Sequence, residues 1–320
     1  MTAHTGDLPA LGSSARQQVN PLADLDTVEW PELHHAYGSA KDVPGQLRAL
    51  RSPITEERRR AQGELSGNVY HQGTRWQASA AVVPFLVGLV EAPGTPERPV
   101  VLDLLRAVAI GDLDDGSLRF KPEERFAAAD SMTGEHVAAV LRWLYREDES
   151  EESEEEDWPD FVDVADVLWA RDAYLAAAGS ADRFVAWVGD DDPAVAVQAA
   201  ELLAWYPETD GAVPALLEVP ANGDRAAVRV SANLTLAHLR DGDPRVDRRL
   251  RDLLDAEDYA VRLTAAVALA YRIGEGMPEP ALDILLQARD RATELISIEI
   301  PWSRSLVGFA SAALYRIGLG

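Results

Sequence analysis

The chain contains no cysteine, which excludes disulfides, thiolate nucleophiles and cysteine-bound zinc. Lysine is nearly absent: Lys41 and Lys121 are the only two, so almost all positive charge is arginine. The longest nearly apolar run, AAVVPFLVGLV from Ala80, is far shorter than the about 20 residues a helix needs to cross a bilayer. The first twenty residues, MTAHTGDLPALGSSARQQVN, lack a basic start followed by an apolar stretch, so no secretory signal is expected. Together these absences predict a cytoplasmic protein with no membrane partner. Also missing are GxSxG, GxxxxGK[ST], HExxH and a glycine-rich GxGxxG turn after a strand. No catalytic residue, cofactor or metal is therefore assigned.

What the chain has is apolar and acidic. An apolar fraction of 47% over 320 residues is ample for a core, whether in two domains or one elongated array. The formal net charge is −24, and nine of the acids lie within the eleven residues Glu147–Asp157. Without that run the charge is still −15. Such a balance makes nucleic acid an unlikely partner, because phosphate binding needs Lys and Arg to displace counterions. A block of like charges repels itself, so 147–157 is expected to be a solvated loop.

The second half repeats every 33 residues. Val195, Val228 and Val261 open the phrases VAVQAAELLA, VRVSANLTLA and VRLTAAVALA. Between them Val213, Val246 and Glu279 head VPALLEV, VDRRLRDLL and EPALDILL at the same period. A repeat of this length marks a helical-pair solenoid. Apolar residues at offsets 0, +4 and +8 (Val195/Ala199/Leu203, Val228/Ala232/Leu236, Val261/Ala265/Leu269) share one helix face. Asp192, before Pro193, and Asp258 are natural N-caps. Asp258 and Arg262 stand at the spacing of a helical ion pair. One such unit cannot bury its apolar face alone, so stability requires stacking.

Asp-x-x-Val-Arg, an alanine-rich helix and then Pro-x-Leu-x-x-Leu resemble HEAT repeats of the armadillo/HEAT superfamily, most clearly over 190–290. Two further segments, WPELHHAYGSAKDVPGQLRAL and GNVYHQGTRWQASAAVVPFLVGLV, are similar to a block in actinobacterial HEAT-repeat proteins of uncharacterised function. The resemblance implies an all-α fold, a right-handed α-α superhelix (HEAT-like helical-pair solenoid), and a scaffold that binds partners. The expected organisation is a flexible leader at 1–24, irregular helical repeats at 25–146, the acidic loop at 147–157, and HEAT-like repeats at 158–320 continuous with the first half. Nearly every element reads as helical, with no convincing alternating strand. Expected helices include Thr55–Leu65, stopped by Gly67, and Glu123–Ala129.

The most unusual local chemistry is Tyr70-His71-Gln72-Gly73-Thr74-Arg75-Trp76. Read as a partner-binding patch, Arg75 pairs with an anionic group, Trp76 stacks, and Tyr70, His71 and Gln72 add polar contacts. Read as an interhelical corner, His71 and Arg75 cap carbonyls and Trp76 enters the core. His34-His35 carry no spaced third ligand and, on a helix, would point apart. Asp112, Asp114, Asp115 and Glu123 match a calcium loop poorly, with the glycine one position early. Arg225, Arg229, Arg240, Arg245, Arg248, Arg249 and Arg251 are interleaved with aspartates and read as a mixed-charge face.

The expected function is a non-enzymatic scaffold holding a protein or peptide on its concave face. One alternative is a HEAT-like enzyme on nucleic acid, glycosylase-like, which a positive concave surface would favour. The other is an acidic regulatory or immunity-type protein that neutralises a basic partner.

Overall fold

The computed structural model describes residues 20–118, 121–146, 161–239, 242–295 and 297–319. Most of the leader, the acidic run 147–157 and Arg240 lie outside these residues. The described chain is mostly helical and of the all-α class. Its helices are α1 (Val43–Ala49), α2 (Thr55–Val69), α3 (Gln77–Glu91), α4 (Arg98–Ile110), α5 (Pro122–Arg125), α6 (Gly134–Leu144), α7 (Val162–Ala178) and α8 (Ala181–Trp187). They continue with α9 (Pro193–Leu202), α10 (Ala212–Glu218), α11 (Ala226–His238), α12 (Pro244–Asp252), α13 (Tyr259–Ile273), α14 (Glu279–Asp290), α15 (Ala292–Leu295) and α16 (Leu306–Arg316).

The first halves of the repeat phrases become α9, α11 and α13, whose starts fall 33 residues apart. α9 packs on α11, α11 on α13 and α13 on α16, while α8, α10, α12 and α14 back them. All nine residues at offsets 0, +4 and +8 are fully buried. Each of the three leucines among them contributes about 1.5–3 kcal/mol of apolar burial. Asp192 accepts from Ala194 N–H and Asp258 from Val261 N–H, both at 3.0 Å, closing the helix starts. Arg262 does not pair with Asp258; it turns back to the carbonyls of Ala256 and Glu257 and stacks over Tyr259.

In the first half α3 pairs with α4, both pack on α7, and α4 reaches α9. Two ion pairs cross that contact, Arg98–Asp190 at 2.5 Å and Arg106–Glu201 at 3.2 Å. Glu201 is buried and also accepts from Trp205 Nε1 at 2.8 Å.

Three further expectations need correction. α2 runs through Gly67 to Val69, because Ala61, Leu65, Asn68 and Val69 form one buried stripe. Burial of that stripe outweighs the about 1 kcal/mol cost of a helical glycine. The helix expected at Glu123–Ala129 is the single turn α5 followed by a 3-10 turn at Ala127–Ser131. Finally, the chain does contain strands: two short antiparallel hairpins, β1 (His34–His35) with β2 (Gly38–Ser39), and β3 (Tyr70–His71) with β4 (Thr74–Arg75).

α11 is enclosed on every side, with all of 228–239 buried. A helix without a solvent face must satisfy its polar side chains internally. Arg229 donates to the carbonyls of Leu216, Leu217 and Val219 at the end of α10, Ser231 to Val197 O, Thr235 to Ala200 O, and Asn233 to Val261 O. One side of α11 is covered by the segment before α16. Trp302 donates to Ser231 Oγ at 3.1 Å, stacks near His238 and meets Phe309 edge-on. Beyond it, Ser303 Oγ and Arg304 Nε bind Asp115 at 2.9 and 2.7 Å. Residues 299–304 thus form a strap from α16 across α11 to the loop after α4.

Candidate functional site

The unusual segment folds as the β3–β4 hairpin. Gln72 and Gly73 form its two-residue loop with φ of 49° and 87°. Two positive φ values define the turn whose twist matches a hairpin, and glycine adopts the second without strain. Ser79, fully buried on α3, closes the base: its Oγ accepts from Trp76 N–H at 2.7 Å and donates to Val69 O at 2.6 Å. The register pairs Tyr70 with Arg75 and His71 with Thr74. Directly opposed residues share a face and neighbours along a strand do not, so the patch is divided.

Tyr70 and Arg75 face the end of α4. Tyr70 Oη donates to Asp112, and burial together with that carboxylate pushes its pKa up. Arg75 is only 8% exposed. Its Nη1 donates to Gly73 O at 2.9 Å, its backbone N–H donates to Asp166 of α7 at 3.2 Å, and its Nε has no partner. The guanidinium lies against bare backbone at Gly111, where an added Cβ would stand 2.0 Å from Nη1. Burial pulls the Arg75 pKa down and Asp166 opposes this, while burial raises Asp166 itself.

His71 and Thr74 occupy the other face. His71 Nδ1 lies 3.2 Å from Tyr37 Oη, linking the two hairpins at their exposed tips. Gln72 is exposed at the turn. Trp76 leaves in a third direction and stacks on Trp169 of α7 at 5.7 Å, in a small cluster with Val140 and Ala165. The five residues of the sequence patch therefore do not converge. Arg75 and Tyr70 share one recess, His71 and Gln72 stand at the hairpin tip, and Trp76 packs inside.

The recess beside Arg75 has a volume of about 370 Å³. Its polar walls are Arg75, Arg125, Asp112 and Asp166, and Ile110 and Phe126 are among its apolar ones. Arg125 and Asp166, from α5 and α7, complete it, and no local motif marked either of them. A larger recess of about 650 Å³ lies between α7 and the loop after α9. Tyr174 and Tyr206 stack there at 4.9 Å, and Glu123, Asp182, Glu208 and Asp210 line it.

The remaining sequence candidates are dispersed. His34 sits 3.2 Å from Gln77 Oε1 and stacks on Tyr145. His35 accepts at Nδ1 from Tyr37 N–H and so donates from Nε2 to Asp42 at 2.9 Å, leaving neither nitrogen for a metal. The two histidines lie on β1, not on a helix. Asp112 takes Tyr70, Asp114 caps a 3-10 turn, and Asp115 holds the strap. Among the described residues no three His, Asp or Glu side chains are grouped as a metal site. In the arginine run, Arg225, Arg229 and Arg249 bond backbone carbonyls and Arg245 pairs with Asp243. Arg248 and Arg251 are exposed. Among the described residues no helix is long and apolar enough to cross a membrane.

Comparison of the sequence with protein-family models and with curated proteins finds no match.

Proposed function

We propose that this chain is a non-enzymatic, HEAT-like solenoid scaffold that holds a protein or peptide partner. Support for the solenoid comes from the 33-residue spacing of α9, α11 and α13 and their side-by-side packing. The observation that carries the binding reading is the hairpin end. There an almost fully buried arginine with an unpartnered Nε lines an open recess beside an exposed turn. The hairpin end is favoured over the inner face at α11, whose residues 228–239 are buried beneath the strap and neighbouring helices.

Cross-linking with mass spectrometry tests this against cell lysate. A scaffold used at the hairpin end gives cross-links to a stoichiometric protein concentrated around residues 70–76 and 112–125. These are lost on Tyr70→Ala with Arg75→Ala in a variant whose circular dichroism is unchanged. Cross-links concentrated elsewhere sink the assignment.

The second reading, an acidic protein that neutralises a basic partner, draws on the tyrosine-floored recess with its four carboxylates. A nucleic-acid enzyme draws the least support, because three of the six described arginines of the basic run are spent on carbonyls.

A further inference from the structure

We infer that the recess between the β3–β4 hairpin, the end of α4, α5 and α7 is a receptor for a monocarboxylate with an apolar stem, as presented by the C-terminus of a peptide ending in an apolar residue. The inference rests on the proposed peptide-holding function and specifies its ligand. Two arginines line the recess, and among the described residues neither makes an ion pair. Arg75 is held in place by its single side-chain bond to Gly73 O and by the flat backbone at Gly111. A buried guanidinium with donors left over is costly unless something accepts from them. Arg125, exposed on α5, stands on the same recess, close enough to depress the Arg75 pKa.

The choice of anion follows from the other walls. Asp112 accepts from Tyr70 Oη and Asp166 from the Arg75 N–H; neither forms a salt bridge with the guanidinium, but both carry negative charge into the recess and offset part of its positive charge. Charge alone does not select the anion, because doubling a ligand's charge doubles its attraction to Arg75 and Arg125 as well as its repulsion by Asp112 and Asp166. A guanidinium binds a carboxylate as readily as a phosphate, so the apolar walls decide between them. Ile110, Leu113, Phe126, Val167 and Ala170 supply an apolar wall that bare phosphate would leave unused and a hydrocarbon stem would cover. The volume of about 370 Å³ suits one side chain with its terminal carboxylate, not an extended segment.

The test is calorimetric titration of the full-length protein with three probes. These are a short peptide ending in leucine with a free carboxylate, the same peptide as its C-terminal amide, and sodium hexanoate, with inorganic phosphate as competitor. The expected result is binding of the free-acid peptide and of hexanoate, loss of at least tenfold in affinity for the amide, and no displacement by phosphate. Arg125→Gln, which removes an exposed side chain without an internal ion pair, is expected to weaken binding about tenfold. Asp166→Asn is expected to strengthen it. Equal binding of acid and amide, indifference to Arg125→Gln, or preference for phosphate overturns the assignment. Hexanoate binding without peptide binding upholds the carboxylate recess and instead removes the peptide-holding function on which the choice of ligand was based.

Discussion

Replacing Trp302 with alanine tests whether the strap is part of the core or merely lies on it. The indole is 8% exposed, so the substitution removes nearly all of a large buried side chain. An aromatic of this kind buries on the order of 150–250 Å², which at about 25 cal/mol per Å² gives roughly 4–6 kcal/mol as an upper figure. Alanine retains part of that area, and measured losses for Trp→Ala fall at about 3–5 kcal/mol. No polar penalty adds to this, because Ser231 Oγ still donates to Val197 O at 3.0 Å after its indole partner is gone. The expected loss is therefore about 3–5 kcal/mol by urea unfolding, with faster hydrogen exchange along 231–238 of α11. Asp115→Ala removes the anchor of the same strap at Ser303 and Arg304. Because both changes release one segment, the double variant should lose less than the sum, with a coupling of about 0.5–3 kcal/mol. A loss below about 1 kcal/mol for Trp302→Ala, with unchanged exchange in α11, would refute the enclosure of that helix by the strap.

Gly111 has φ of 73°, and its missing Cβ makes room for Arg75 Nη1, so Gly111→Ala is expected to cost about 1–3 kcal/mol in unfolding and to expel the guanidinium, abolishing hexanoate binding. Asp258→Ala removes the N-cap of α13 and should cost about 1 kcal/mol, whereas Asp258→Asn, which can still accept from Val261 N–H, should cost only a few tenths in the same urea titration. Burial raises the Glu201 carboxyl above its ordinary 4.5, outweighing the opposing pull of Arg106 and the Trp205 N–H. The folded state then keeps a proton that the unfolded chain releases, so this group's contribution to stability falls as pH rises from 4.5 through the raised value. Glu201→Gln has no such proton, and its urea midpoint relative to the parent should climb across that window; a constant difference would sink the argument.

The repeat half of the fold was legible in the sequence because each of its instructions is local. Asp192 and Asp258 announce helix starts by residue type, and Val228, Ala232 and Leu236 announce a face by spacing. The hairpins carried a local signal that the helical reading passed over. Gln72-Gly73 between Tyr70-His71 and Thr74-Arg75 is a short loop with glycine where the turn demands positive φ. The strap and the Arg75 recess have no such signal. Trp302 finds Ser231 across 71 residues, and Asp166 meets the Arg75 N–H across 91. Periodicity states which face of a helix is covered by its repeat neighbour but is silent about what covers the opposite face. Arg229 illustrates this: its place in the arginine run reads as a mixed-charge face, yet it, Ser231 and Thr235 each bond a carbonyl of a neighbouring helix.

The net charge of −24 gives the two recesses opposite salt dependences, which separates the two partner classes without knowing either partner. A carboxylate approaching Arg75 is repelled by the protein as a whole and attracted only at contact range. Salt at about 0.1 M shortens the reach of charge to about 10 Å, which screens the repulsion of distant exposed carboxylates. The buried Arg75 contact is screened much less, so affinity for the free-acid peptide should hold or rise as salt is added. A basic peptide drawn to Glu123, Asp182, Glu208 and Asp210 gains from the same field, and its affinity and association rate should fall steeply over that range. Measuring association rates for both peptides at low and moderate salt therefore decides the question. A carboxylate ligand whose binding collapses with salt is held by the surface field of some basic patch, and the Arg75 recess is then not its receptor.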